Sequence, residues 1–91
     1  MDLGSRIKRN STTAYRNMEG EGLIMNPTDS MLHLLNEVGS SIWEYLQEPR
    51  VVRDIVAMVF ENFDCDQQTA TNDVLEFLEN LQKQQLVEIE D

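Results

Sequence analysis

The hydrophobic residues of this chain change their spacing about one third of the way along, and the change separates two kinds of predicted element. Short apolar runs cover residues 14–18, 22–26 and 31–35, with the turn-rich stretches "MEGEG" and "NPTDS" between them. Runs of this length bounded by Gly, Asn and Pro are typical of strands joined by tight turns. We therefore predict a three-stranded antiparallel meander whose third strand is residues 31–35.

From residue 36 onward the spacing becomes helical. Asn36 is a good N-cap for a first helix that ends before Pro49, and the small residues "GSS" at 39–41 allow a close approach to its backbone. A second helix is predicted over 51–62, and a third from Asp66 to about residue 84. Their core stripes are Val52, Ile55, Val56, Val59 and Phe63 in the second helix, and Val74, Phe77, Leu78 and Leu81 in the third. The final "LVEIE" suits either a short strand or an extended tail.

The order of the elements predicts the fold class. Residues 1–13 are rich in Ser, Thr, Asn and charge, and we expect them to be a flexible basic N-terminal tail. Residues 14–91 then form one domain. Strands followed by helices indicate an α+β fold of the small winged-helix type, in which a three-stranded antiparallel sheet precedes three helices.

The charge distribution limits the classes of partner. Residues 1–18 carry a net charge of +3 and the rest of the chain −13, which together give −10. A nucleic-acid-binding domain needs a basic face to neutralise phosphates, so nucleic acid is disfavoured. No apolar run is long enough to span a membrane. The single cysteine, Cys65, forms no internal disulfide, and we expect a cytoplasmic protein.

The inventory of reactive side chains predicts no catalytic residue, no metal site and no cofactor. His33 and Cys65 are the only strong soft metal ligands and lie in different predicted elements, whereas a structural zinc site needs four ligands. The four glycines fit no nucleotide-binding fingerprint. We therefore predict a binding protein and not an enzyme.

The third predicted strand carries apolar side chains on both of its faces. One face covers the helices, and the other stays exposed on so thin a sheet unless something covers it. If this strand is also a sheet edge, it can accept a peptide as an added strand. The alternative is that both faces are buried within the protein or in a dimer.

Three stretches together resemble the PqqD family, named for a pyrroloquinoline-quinone biosynthesis protein. They are "LHLLNEVGSSIWEYL", "RVVRDIVAMVFENFD" after Pro49, and "DVLEFLENLQKQQLVE", so the resemblance covers about residues 14–90. The chain departs from the family pattern at three positions: Gln85 replaces a usual Gly, Arg50 a common capping Thr, and His33 a frequent aliphatic residue. These departures favour a PqqD-like relative that serves another peptide.

The resemblance implies a non-catalytic adaptor, of the kind called a recognition element or peptide chaperone for ribosomally made, post-translationally modified peptides. Such domains bind the leader of a precursor peptide between the third strand and the third helix and deliver it to a modifying enzyme. That enzyme is commonly a radical S-adenosylmethionine protein, whose iron–sulfur clusters this chain lacks the cysteines to hold. By position, the peptide-binding residues are Met31, Leu32, His33, Leu34, Val74, Leu75, Phe77 and Leu78.

Each of the helix residues in that set is also a good core residue, so core packing remains open for them. Two other functions are weighed against the adaptor. One is a self-associating subunit, such as a homodimer, and the other a winged-helix regulator that binds nucleic acid through its basic arm.

Overall fold

The computed structural model describes residues 1–10, 13–18, 21–26 and 31–90, and it confirms the α+β class. Its elements form two three-stranded antiparallel sheets and three helices. In chain order they are β1 (Arg6–Arg9), β2 (Ala14–Met18), β3 (Glu21–Asn26), β4 (Met31–Leu35), α1 (Glu37–Tyr45), β5 (Arg50–Val51), α2 (Val52–Asn62), α3 (Gln67–Lys83) and β6 (Val87–Glu90).

The predicted meander and helices are confirmed. Strands β2, β3 and β4 pair in sequence order, although the turn residues 19–20 and 27–30 lie outside the described residues. The side chain of Asn36 caps α1 by accepting the Gly39 N–H at 2.8 Å, and that of Asp66 caps α3 by accepting the Thr69 N–H at 2.7 Å. Helix α2 has no side-chain cap.

The expected N-terminal tail is wrong for residues 6–9, which form β1. This strand lies in the centre of a second sheet, ordered β5-β1-β6, and Ile7 is fully buried. The C-terminal residues 87–90 form β6, which pairs with β1 over four residues. The final segment, for which the sequence allowed a strand or an extended tail, is therefore a strand. Because β1 is short and its partners are distant in sequence, no local pattern indicates it.

The basic residues of β1 are matched by acidic residues of β6. Arg6 forms an ion pair with Glu90 at 2.8 Å, and Lys8 approaches Glu88 at 3.2 Å. Cross-strand pairs of opposite charge favour this pairing and its register. Two of the positive charges that suggested a nucleic-acid-binding arm, those of Arg6 and Lys8, thus form ion pairs within the protein.

One hydrophobic core joins the two sheets and the helices. Ile7 from β1, Ile24 from β3 and Leu86 before β6 are fully buried, and the predicted stripes of α2 and α3 are buried with them except for the half-buried Phe63 and Phe77. Trp43 of α1 is buried at the centre. No helix among the described residues is long and apolar enough to cross a membrane.

The end of α3 explains the Gly that the PqqD pattern usually places at position 85. Gln85 has a φ of 62°, in the left-handed region that favours glycine. Its N–H donates to the carbonyl of Gln82 at 3.0 Å, and that of Leu86 donates to Leu81 at 2.9 Å. These two bonds form a Schellman motif, which ends α3 and turns the chain into β6.

Candidate functional site

Strand β4 is an edge of its sheet. It pairs with β3 on one side, and no other strand of the described residues pairs with its second side. An edge strand presents a row of backbone donors and acceptors that can pair with another chain.

The hairpin register shows which backbone groups of β4 point outward. The closing pair of β2 and β3 is Met18 with Glu21, with only two residues between them in sequence. A closing pair of this kind exchanges both backbone hydrogen bonds, and bonded pairs alternate along the ladder. Counted from Glu21, alternate residues of β3 bond to β2, and those between them, including Ile24, bond to β4. The partner of Ile24 on β4 is His33, so the backbone N–H and C=O groups of His33 point toward β3.

It follows that Leu32 and Leu34 direct their N–H and C=O groups to the open edge. Their side chains lie on the sheet face opposite to the buried Leu35 and are 59% and 76% exposed. Met25, paired with Leu32 on β3, is exposed on the same face. Two aliphatic side chains and four backbone groups are therefore available to a peptide strand at this edge.

A groove lies between α1 and α3, beginning at Asn36, the residue between β4 and α1. Its volume is about 320 Å³. It is lined by the N-cap Asn36 and by Val38, Gly39 and Ile42 from α1, and by Asp73, Glu76, Phe77 and Asn80 from α3. The four α3 residues have the i, i+3, i+4, i+7 spacing of one helix face. The lining includes no residue of β4, but Asn36, which directly follows this strand, belongs to it, so the end of β4 adjoins the groove.

Gly39 sets the depth of the groove. A Cβ atom at this position would lie 3.1 Å from Cε1 and 3.2 Å from Cζ of Phe77. The Phe77 ring therefore rests directly on the α1 backbone, beside the Asn36 side chain that caps the helix. This is the close approach that the small residues at 39–41 predict.

The structure separates the predicted site residues into two groups. Leu32 and Leu34 are exposed at the edge of β4, and Phe77 lines the groove half-buried. Val74 and Leu78 are fully buried in the core, which is the alternative left open for them.

The other predicted residues lie around these two groups. His33 is half-buried, and its Nε2 atom is buried without a hydrogen-bond partner. Leu75 is half-buried and lines a separate depression on the far side of Glu76. Met31 begins β4. The binding role of all eight residues remains a prediction.

Sequence reasoning missed the polar residues of the groove. Asp73, Glu76 and Asn80 share a helix face with Phe77, and this spacing was the available signal. This spacing alone does not indicate a site, because an exposed acidic helix face is usually a solvated surface.

A second arrangement missed from the sequence joins β1, β2 and α1. The guanidinium group of Arg9 donates from Nε to the Trp43 carbonyl at 3.0 Å, and from Nη2 to the same oxygen. It lies 4.6 Å from the centre of the Trp43 ring, and burial lowers its pKa. The Tyr15 hydroxyl donates to Glu44 at 2.9 Å, and burial together with this bond raises the pKa of Tyr15. The cluster fixes α1 against both sheets and thereby positions one wall of the groove.

Within the described residues no group of three or more His, Cys, Asp or Glu side chains is arranged to hold a metal ion. Cys65 is a free, half-buried thiol whose Sγ lies 3.8 Å from the Phe63 carbonyl.

Two solved structures share this fold across nearly the whole chain. One is TbiB1 in complex with the TbiA(beta) leader peptide, which is 25% identical, with 89% of this chain and 94% of that chain covered and a TM-score of 0.82. The other is lasso peptide synthetase B1 complexed with the leader peptide, with 9% identity, 90% and 96% coverage and a TM-score of 0.73; at that identity the likeness concerns the fold alone. No match is found among curated proteins.

A family comparison assigns the chain more directly. The model of the family described as Coenzyme PQQ synthesis protein D (PqqD) matches residues 21–87, from β3 to the start of β6. The match spans well over half of the chain and includes both β4 and the groove. The chain belongs to the PqqD family.

Proposed function

We propose that this protein binds the leader of a ribosomally made precursor peptide as a strand added to β4, and presents it to a separate modifying enzyme. The observation that carries the proposal is the open edge of β4, next to a groove whose lining begins at Asn36, the residue that follows this strand. An extended peptide on this edge gains main-chain hydrogen bonds, while the groove and the exposed leucines select its side chains.

The comparisons support a peptide as the ligand. TbiB1 was solved with a leader peptide, and its similarity to this chain covers nearly the full length of both. In our proposal the chemistry belongs to the partner, a radical S-adenosylmethionine enzyme of the kind that the family resemblance implies. This chain contributes recognition alone.

The contacts available set the expected affinity. Pairing with Leu32 and Leu34 provides four hydrogen bonds, at about 1 kcal/mol each. Burying about three peptide side chains adds about 1.5–3 kcal/mol each. Ordering a flexible segment costs about 2–5 kcal/mol. The midpoint of this balance, about 7 kcal/mol, corresponds to a dissociation constant in the micromolar range.

The test uses the peptide that co-purifies with the tagged full-length protein from its own host, identified by mass spectrometry and then synthesised. Isothermal titration compares the wild type with Leu34→Ala and Leu34→Pro. Both variants should fold, because the side chain is 76% exposed and the N–H points away from β3. Alanine removes only side-chain contact, whereas proline also removes the donor.

We expect Leu34→Ala to weaken binding about three- to tenfold and Leu34→Pro to weaken it at least about tenfold further. Equal affinities of the two folded variants would show that the edge of β4 does not pair with the peptide. Leu34→Asp, which places a charge at the same point, should also weaken binding without unfolding the domain.

A second candidate is self-association through the same edge, favoured by the exposed side chains of Met25, Leu32 and Leu34. Sedimentation velocity over a range of concentrations distinguishes the two functions. A dimer that dissociates when the peptide is added supports the adaptor, because both would compete for β4. A dimer that the peptide leaves unchanged supports a self-associating subunit.

A further inference from the structure

The α3 wall of the groove is negatively charged. Asp73 and Glu76 are both exposed, lie one helical turn apart and line the groove, which has no Lys or Arg in its lining. Neither carboxylate forms an ion pair within the described residues. Like charges at this spacing repel each other, and nothing in the groove compensates them.

The floor of the same groove is apolar. The Phe77 ring rests on Gly39, and the side chains of Val38 and Ile42 complete the surface. The groove therefore offers two different environments side by side. One suits an aliphatic or aromatic side chain, and the other suits a cation.

The geometry of an added strand connects these environments to peptide positions. Alternate residues of a strand face the same side and are about 6.5–7 Å apart. Asp73 and Glu76 are separated by a rise of about 4.5 Å along α3, so one long cationic side chain can lie between them. A peptide that runs from β4 past Asn36 into the groove would place one inward side chain against the apolar floor and the next against the acidic wall.

We infer that the peptide recognised here carries a Lys or Arg two residues from an apolar residue, with the cation held by Asp73 and Glu76. This inference rests on the proposed function and adds the chemical class of the ligand. The protein as a whole carries a charge of −10, so any cation is attracted weakly from a distance. The selectivity comes instead from two carboxylates that share a groove with an apolar floor.

The experiment is a selection of displayed random 12-residue peptides on the full-length protein. It is repeated on the double variant Asp73→Asn/Glu76→Gln and on the control Asp54→Asn/Glu61→Gln. The control removes the same two kinds of charge from exposed positions of α2, outside the groove. Each enriched peptide is also titrated against Leu34→Pro to show that it occupies the β4 edge.

We expect peptides bound at the edge to be enriched in Lys or Arg at a spacing of two from an apolar residue. The enrichment should disappear in the groove variant and persist in the control. For one such peptide, the groove variant should bind about three- to tenfold more weakly at 50 mM salt, and the difference should shrink at 500 mM. Replacing the peptide Lys by norleucine should cause the same loss in the wild type and little loss in the groove variant.

The outcomes separate this inference from the proposed function. Peptides that depend on the β4 edge but show no basic preference, or an equal loss in both double variants, overturn the inference and leave the function standing. Enriched peptides that bind Leu34→Pro as well as the wild type overturn both, and so does the absence of any enriched peptide.

Discussion

Replacing Ile7 by alanine tests whether β1 is part of the hydrophobic core, which the sequence pattern does not predict. Ile7 is fully buried between β5 and β6. Replacement by alanine removes three carbon atoms, worth about 2.4 kcal/mol at about 0.8 kcal/mol per buried methylene. The cavity left behind adds to this, for a total loss of about 3–4 kcal/mol in the free energy of unfolding. A domain of this length has only about 5–14 kcal/mol.

The assay is equilibrium unfolding in urea, followed by the fluorescence of Trp43. This is the only tryptophan of the chain, and it is buried against Arg9 of β1. The matched control is Leu3→Ala, because Leu3 is close in sequence but 41% exposed, and it should cost less than about 1 kcal/mol. A loss below about 1 kcal/mol for Ile7→Ala would show that residues 6–9 detach without consequence and would refute the two-sheet fold.

Three further substitutions test single features. Gly39→Ala should weaken peptide binding severalfold in titration, because the added Cβ displaces the Phe77 ring. The urea midpoint should stay close to that of the wild type, because alanine favours the helix. Unchanged affinity would contradict the role of this contact. His33→Leu should raise the free energy of unfolding by about 1 kcal/mol, since it removes a buried nitrogen without a partner, and a lower stability would contradict this. Gln85→Gly should raise the free energy of unfolding by about 0.5–1 kcal/mol, and with it the melting temperature, because glycine adopts the positive φ without strain; Gln84→Gly, at a φ of −89°, should lower both.

Most of the fold was predictable because its signals are local. The strands β2 to β4 are bounded by turn residues, and the helices begin at Asn36 and Asp66, whose side chains cap them as expected. Each of these features depends on neighbours within about four residues. The sequence therefore contains the information in a form that periodicity and capping rules can extract.

The second sheet was not predictable because it depends on contacts between the two ends of the chain. Arg6 pairs with Glu90, and Asn10 donates its backbone N–H to Leu86 across more than seventy residues. A basic, polar N-terminal stretch is also typical of a disordered tail, and Ile7, the single apolar residue of 6–9, is too weak a signal to indicate a strand.

The candidate site was predictable only where it coincides with an apolar strand. Leu32 and Leu34 were identified because apolar residues on both faces of one strand are unusual in a thin sheet. Val74 and Leu78 could not be distinguished from Phe77 by sequence, since all three suit a core face and only the depth of packing separates them. The acidic residues of the groove were missed because charge on a helix surface is common.

Amide hydrogen exchange of β4, measured by NMR with and without the peptide, tests strand addition most directly. In the free protein we expect the N–H of His33 to be protected by β3, and those of Leu32 and Leu34 to exchange rapidly at the open edge. With the peptide bound, the N–H groups of Leu32 and Leu34 should become protected at least about tenfold, while that of His33 changes little. Tight binding that leaves the exchange of Leu32 and Leu34 unchanged would contradict the proposal that the peptide pairs with β4.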